Sequence, residues 1–106
     1  MPRYLFQASY TAEGAKGLLK DGGSKRREVA EETIKGLGGK LEAYYFALGE
    51  TDAFIIADVP DNVSVAALSL AVNASGAVHT KTTVLLTPEE MDKATKKTVK
   101  YRPPGK

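Results

Sequence analysis

Few side chains in this 106-residue sequence are of types that do chemistry near neutral pH, and His79 is the only histidine. As a general base it needs a placed partner, and as a metal ligand it needs two or three further donors. Lys81 lies two residues on, on the same side of a strand, and would join His79 against an anion. Equally, alternating Thr and Lys on an edge strand is how sheets discourage stray pairing. Gln7 and Ser9 interrupt an otherwise apolar strand, and polar groups there must find partners if a second layer covers them. They are candidates to line a cavity and orient a small ligand, with Tyr44 or Tyr45 and Phe46 as its apolar wall. The plainer alternative bonds them across a subunit interface or to buried water. Asp52, three residues after Gly49, is a carboxylate base on one reading. On the other it accepts backbone N–H groups and holds a turn, the usual work of Asp at a hairpin. There is no cysteine, so thiolate chemistry, disulfides and Cys-based metal sites are excluded. No metal site or cofactor is expected. Gly22-Gly23 and Gly38-Gly39 do not follow a strand and open a helix with a lysine, so neither reads as a phosphate loop.

These residues are carried by alternating strand and helix signals. Residues 3–10 alternate, with Tyr4, Phe6, Ala8 and Tyr10 on one side and Leu5, Gln7 and Ser9 on the other, which predicts a strand. Thr11 can cap a short helix through Leu19, broken by Asp21-Gly22-Gly23. Ser24 then caps a longer helix whose Val29, Ala30, Thr33, Ile34 and Leu37 form one apolar stripe, ended by Gly36, Gly38 and Gly39. Residues 40–48 form a second strand, and Gly49-Glu50-Thr51 returns it as a hairpin into a third that Pro60 closes. Asp61 or Asn62 caps a second long helix, apolar around much of its circumference through Val65, Leu68 and Val72, which ends by Gly76. Residues 77–87, dense in Val and Thr, read as a fourth strand. Pro88-Glu89-Glu90 opens a short helix to about Thr95, followed by a loose tail.

Composition is that of one ordinary globular domain, 42% hydrophobic and 26% charged. All thirteen acids lie at or before Asp92, so residues 1–92 are net −4, and residues 93–106 are net +6. The alkaline pI thus belongs to the tail. Tyr101 is available there to stack on a base, yet an acidic body with no basic face argues against nucleic acid as a partner. No apolar run is long enough for a membrane span and the Met1-Pro2-Arg3 start has no signal-like core, so a cytoplasmic protein is expected.

The element order is β-α-β-β-α-β with helical additions, an α+β ferredoxin-like sandwich around a four-stranded antiparallel sheet. Right-handed crossovers set the first and third strands at the centre and both long helices on one face. The third strand, Ala53-Phe54-Ile55-Ile56-Ala57, is apolar at every position, as in strands covered on both faces. One helix layer covers only one. A second copy of the chain is the expected cover for the other, which predicts a homodimer or higher oligomer.

Several short stretches taken together resemble the GYD domain family, small bacterial proteins of unknown function. They are Lys16-Gly17-Leu18, Leu37-Gly38-Gly39-Lys40, Gly49 with Asp52, Pro60-Asp61, and Ser75-Gly76-Ala77-Val78 leading to Thr80. The hairpin carries Thr51 where the family's name points to tyrosine. The resemblance spans about residues 3–94, dividing the chain into a domain at 1–94 and a basic tail at 95–106. It implies a dimeric α/β barrel formed by sheets pairing face to face, and no established activity, so it supplies no catalytic residue. The expected function is binding of a small organic ligand between the paired sheets, with Gln7, Ser9, Tyr44 and His79 as candidate contacts and Gly49 and Asp52 as turn residues. The alternatives are a cofactor-independent oxygenase or isomerase, by analogy of fold alone, and a protein-interaction module.

Overall fold

A computed structural model describes all residues from Met1 to Lys106. Its elements are β1 (Arg3–Tyr10), α1 (Ala12–Asp21), α2 (Gly23–Gly36), β2 (Lys40–Phe46), β3 (Ala53–Asp58), α3 (Asn62–Ala74), β4 (Val78–Leu85) and α4 (Pro88–Thr95). The sheet runs β2-β3-β1-β4 with every neighbouring pair antiparallel, the ferredoxin-like order. No helix is long and apolar enough to cross a membrane.

The helix boundaries follow local chemistry. Thr11 accepts the Gly14 N–H at the start of α1, and Asp61 accepts the Ser64 N–H at the start of α3. Thr87 and Glu90 form a reciprocal capping box ahead of α4. The break between α1 and α2 is a single residue. Gly22 takes φ 82°, and its N–H closes on the Leu18 carbonyl. Because the chain resumes its helix at Gly23, Ser24 lies inside α2 and does not cap it, contrary to its composition-based reading.

Tyr4, Phe6 and Ala8 of β1 point toward the helices and are buried, as are Ala53 and Ala57 of β3 and Val59 beyond it. The core forms two clusters, one around Tyr4, Phe6, Ile34, Val59 and Val65, the other around Ala8, Ala53 and Val78; Ile55 packs on both. Hydrogen bonds fix the layers: Tyr4 donates to the Asn62 side chain at 2.6 Å, and Asn73 of α3 makes two bonds to Thr80 of β4.

The opposite face of the sheet is open. Register places Arg3, Leu5, Gln7 and Ser9 of β1 there, with Phe54, Ile56 and Asp58 of β3 and His79, Lys81, Thr83 and Leu85 of β4. In β2 the ladder slips between Leu41 and Ala43, so Glu42 is an extra residue and the alternation inverts beyond it. Ala43 and Tyr45 therefore face outward, and Tyr44 and Phe46 face the helices. At one end of this face Arg3 grips Asp58 through two bonds, of 2.8 and 3.1 Å, with Glu42 and Lys40 alongside.

Candidate functional site

Two concavities flank the sheet, one on each side. On the open face, Gln7, Ser9, His79 and Lys81 border a polar recess of about 220 Å³ with Glu50, Thr51 and Thr80. The hairpin between β2 and β3 folds over this end. Ser9 donates to the Glu50 carbonyl at 2.9 Å, and Gly49 turns the chain with φ 130°. Asp52 ties the hairpin down: its carboxylate accepts the Tyr10 N–H at 2.7 Å, and its own N–H donates to the Ala8 carbonyl. Since the ladder between β1 and β3 stops at Ala8 and Ala53, that carboxylate satisfies a backbone donor which no strand reaches. Nothing here forms an acid–base pair or a cage of ligands: His79 is exposed, and no group of three His, Asp or Glu side chains could hold a metal ion.

Three of the four candidate ligand residues thus share one recess. Tyr44 does not. Its place as a wall of the same cavity is corrected by the irregularity at Glu42, which carries Tyr44 and Phe46 through to the helix side and leaves only Tyr45 outward.

The larger concavity lies on that helix side and has a volume of about 520 Å³. It exists because α2 packs on β2 and α3 on β4, at opposite edges of the sheet, leaving the central strands incompletely roofed. Phe6 and Ile55 line its floor, Val29, Ala30 and Ile34 of α2 one wall, and Leu68 and Val72 of α3 the other. α1 crosses its mouth with two glycines. At Gly14 a Cβ would run into the Ala77 carbonyl, so the helix can sit there only without a side chain, whereas Gly17 faces open space.

A few polar groups converge on this apolar cleft. The Tyr10 and Tyr44 hydroxyls meet at 3.5 Å inside it. Burial holds the Tyr44 proton well above the usual phenol range, the bond to Tyr10 adds to this, and the charge of Arg26 opposes it. Arg26, half-buried on α2, lines the cleft, and all three ion pairs of the chain involve Arg3 or Lys40, so Arg26 has no carboxylate partner. Glu13 stands exposed on α1 at the rim. Several hydroxyls are already committed to backbone: Thr33 donates to the Val29 carbonyl and Ser75 to the Val72 carbonyl.

Sequence reasoning overlooked Tyr10, Arg26 and Gly17 as members of a site. One signal was legible. Arg26 precedes Ala30 by four residues and Thr33 by seven, so it extends the apolar stripe of α2 by one turn, a charge where the pattern calls for an apolar group.

Comparison with known proteins finds no match among curated proteins and none among solved structures. A family model, the GYD domain, matches residues 4–95.

Proposed function

From the premise that this chain belongs to the GYD domain family, we propose that it binds a small organic molecule, each protomer of a homodimer holding its ligand beneath its own helices. The observation that carries this reading is the 520 Å³ cleft, within the size range of small-molecule sites. It is mostly apolar with a few convergent polar groups, the composition by which such sites combine affinity with orientation. A well-packed domain does not leave such a space between helix and sheet by default.

Pairing is supported by the open face. Leu5, Phe54, Ile56 and Tyr45 make an uncovered apolar band there, with Tyr45 71% exposed. Two such faces in contact would shelter the band, and Gln7, Ser9 and His79 would then belong to the seam between subunits. The ligand moves accordingly from between the sheets to the other side of each.

The test is a thermal-shift screen of small aromatic acids and other metabolites on the wild-type protein and on Gly17→Leu. An added side chain at Gly17 enters open space at the cleft mouth, so the variant folds and obstructs entry. A stabiliser of the wild type that loses its effect on Gly17→Leu is the expected result. A hit equally effective on both proteins places the ligand elsewhere and overturns the reading.

A further inference from the structure

We propose that the ligand of the helix-side cleft is a flat aromatic monoanion, whose acidic head is received by Arg26 and the Tyr10–Tyr44 pair and whose ring lies over Phe6 and Ile55. The inference rests on the cleft being the binding site, and it adds the chemical class of what enters.

The head group follows from a count of donors and acceptors. Two phenols in contact share one hydrogen bond, and whichever hydroxyl donates it, the other retains its proton with no acceptor in the protein. The site therefore holds a spare O–H donor, and burial keeps Tyr44 from ionising into an acceptor. Arg26 adds guanidinium N–H donors and a positive charge that no carboxylate of the chain neutralises. Among the hydroxyls of the lining, Thr33 and Ser75 give their protons to backbone carbonyls, whereas Thr80 Oγ1 accepts from Asn73 and keeps its own proton, and the Ser69 hydroxyl makes no bond in the chain, so the surplus of donors grows. Donors without matching acceptors call for an oxyanion, and the fork of an arginine fits a carboxylate in two bonds.

The remaining lining sets the rest of the molecule. The floor and walls near Phe6, Ile55, Leu68 and Val72 are apolar, and the aromatic ring of Phe6 and the branched side chains beside it offer stacking and packing surface to an aromatic body. Glu13 at the rim disfavours a second negative charge at the outer end, so the class is a monoanion.

Isothermal titration with 2-naphthoate and its neutral isostere 2-naphthamide tests the assignment. The acid should bind about tenfold to a hundredfold more tightly than the amide, the range of a charge-assisted hydrogen bond. Arg26→Gln should remove most of that difference by weakening the acid far more than the amide, with circular dichroism confirming the fold. Tyr44→Phe should weaken the acid by a smaller factor. Equal affinities for acid and amide, or a preference that survives Arg26→Gln, overturn the head-group assignment and leave the cleft as a site for neutral molecules. If neither probe binds, the aromatic-monoanion class falls while the cleft reading stands on its own screen; if naphthoate binds Gly17→Leu as well as wild type, the cleft reading falls and this inference with it.

Discussion

Two glycines one turn apart on α1 have opposite meanings. Gly14 is buried against the Ala77 carbonyl, where Thr11 also anchors through its N–H and hydroxyl, so the helix and the start of β4 touch backbone to backbone. A Cβ at Gly17 would meet nothing beyond its own helix. Gly14→Ala must push α1 off the sheet and should destabilise the protein by about 1–3 kcal/mol, the range for overpacking. Gly17→Ala removes backbone freedom from the unfolded chain at a helical position with room for a methyl, and should stabilise by up to about 1 kcal/mol. Urea unfolding of the two variants checks both signs. A glycine's letter is the same in either place; what separates them is how near another part of the chain approaches, which local sequence does not contain. Tyr44 shows the same limit, since one extra residue at Glu42 decides which face it occupies.

Among the elements, the strand ends and helix starts hold two carboxylates whose ionised forms the fold prefers. Asp58 sits below the usual carboxylate range, chiefly because the Arg3 side chain donates to it. Asp61 is lowered by the Ser64 backbone N–H at the start of α3. Both pKa values are depressed on folding, so both contributions are complete above the unfolded value, near 3.8, and are lost as pH falls through the lower folded values. The urea midpoint should therefore hold between pH 5 and 7 and decline below about pH 4. Arg3→Gln should flatten the part of the decline that belongs to Asp58. Both groups lie at the surface, so salt should shrink the effect. The caps Thr11 and Asp61 were readable from the order of side chains, because each acts on a backbone N–H three positions on, whereas the partner of Asp58 lies 55 positions away and was not. The exception is instructive: Ser24 has the side chain of a cap, but Gly22 already breaks the helix two residues earlier, and the chain needs no second stop.

The molecule as a whole exposes 7726 Å², whereas surface scaling gives about 5700 Å² for a folded monomer of this mass. Only 10 of 106 residues are buried, which is a thin core for a domain of this length. Part of the excess belongs to α4 and the tail: α4 has no buried residue, and Met91, Val99 and Tyr101 are largely exposed. Truncation after Thr87 should accordingly change the unfolding free energy of the protomer by no more than about 0.5 kcal/mol, as for surface changes generally. The sheet's open face adds Tyr45 and Phe54 to the exposed apolar residues. Sedimentation equilibrium at micromolar concentration should find a dimer for the wild type and a folded monomer for Phe54→Lys, which sets a charge in the middle of the apolar band. A wild-type monomer at that concentration would remove the pairing from the proposed function and leave the cleft, which each protomer builds alone.

Periodicity and turn chemistry were enough to establish the number and order of the elements, the α+β class and the crossovers, because those depend on residues near one another along the chain. The same alternation identified Tyr4, Phe6, Ala8 and Tyr10 as sharing one side of β1 but left open which side met the helices. That choice, the inversion of β2 past Glu42, and the gap between α2 and α3 arise from contacts between segments tens of residues apart. Hence strand parity could group Gln7 with Ser9 and His79 with Lys81, but register alone brings the two pairs together, and the meeting of Tyr10, Tyr44 and Arg26 over one cavity is a product of how the helices settle on the sheet.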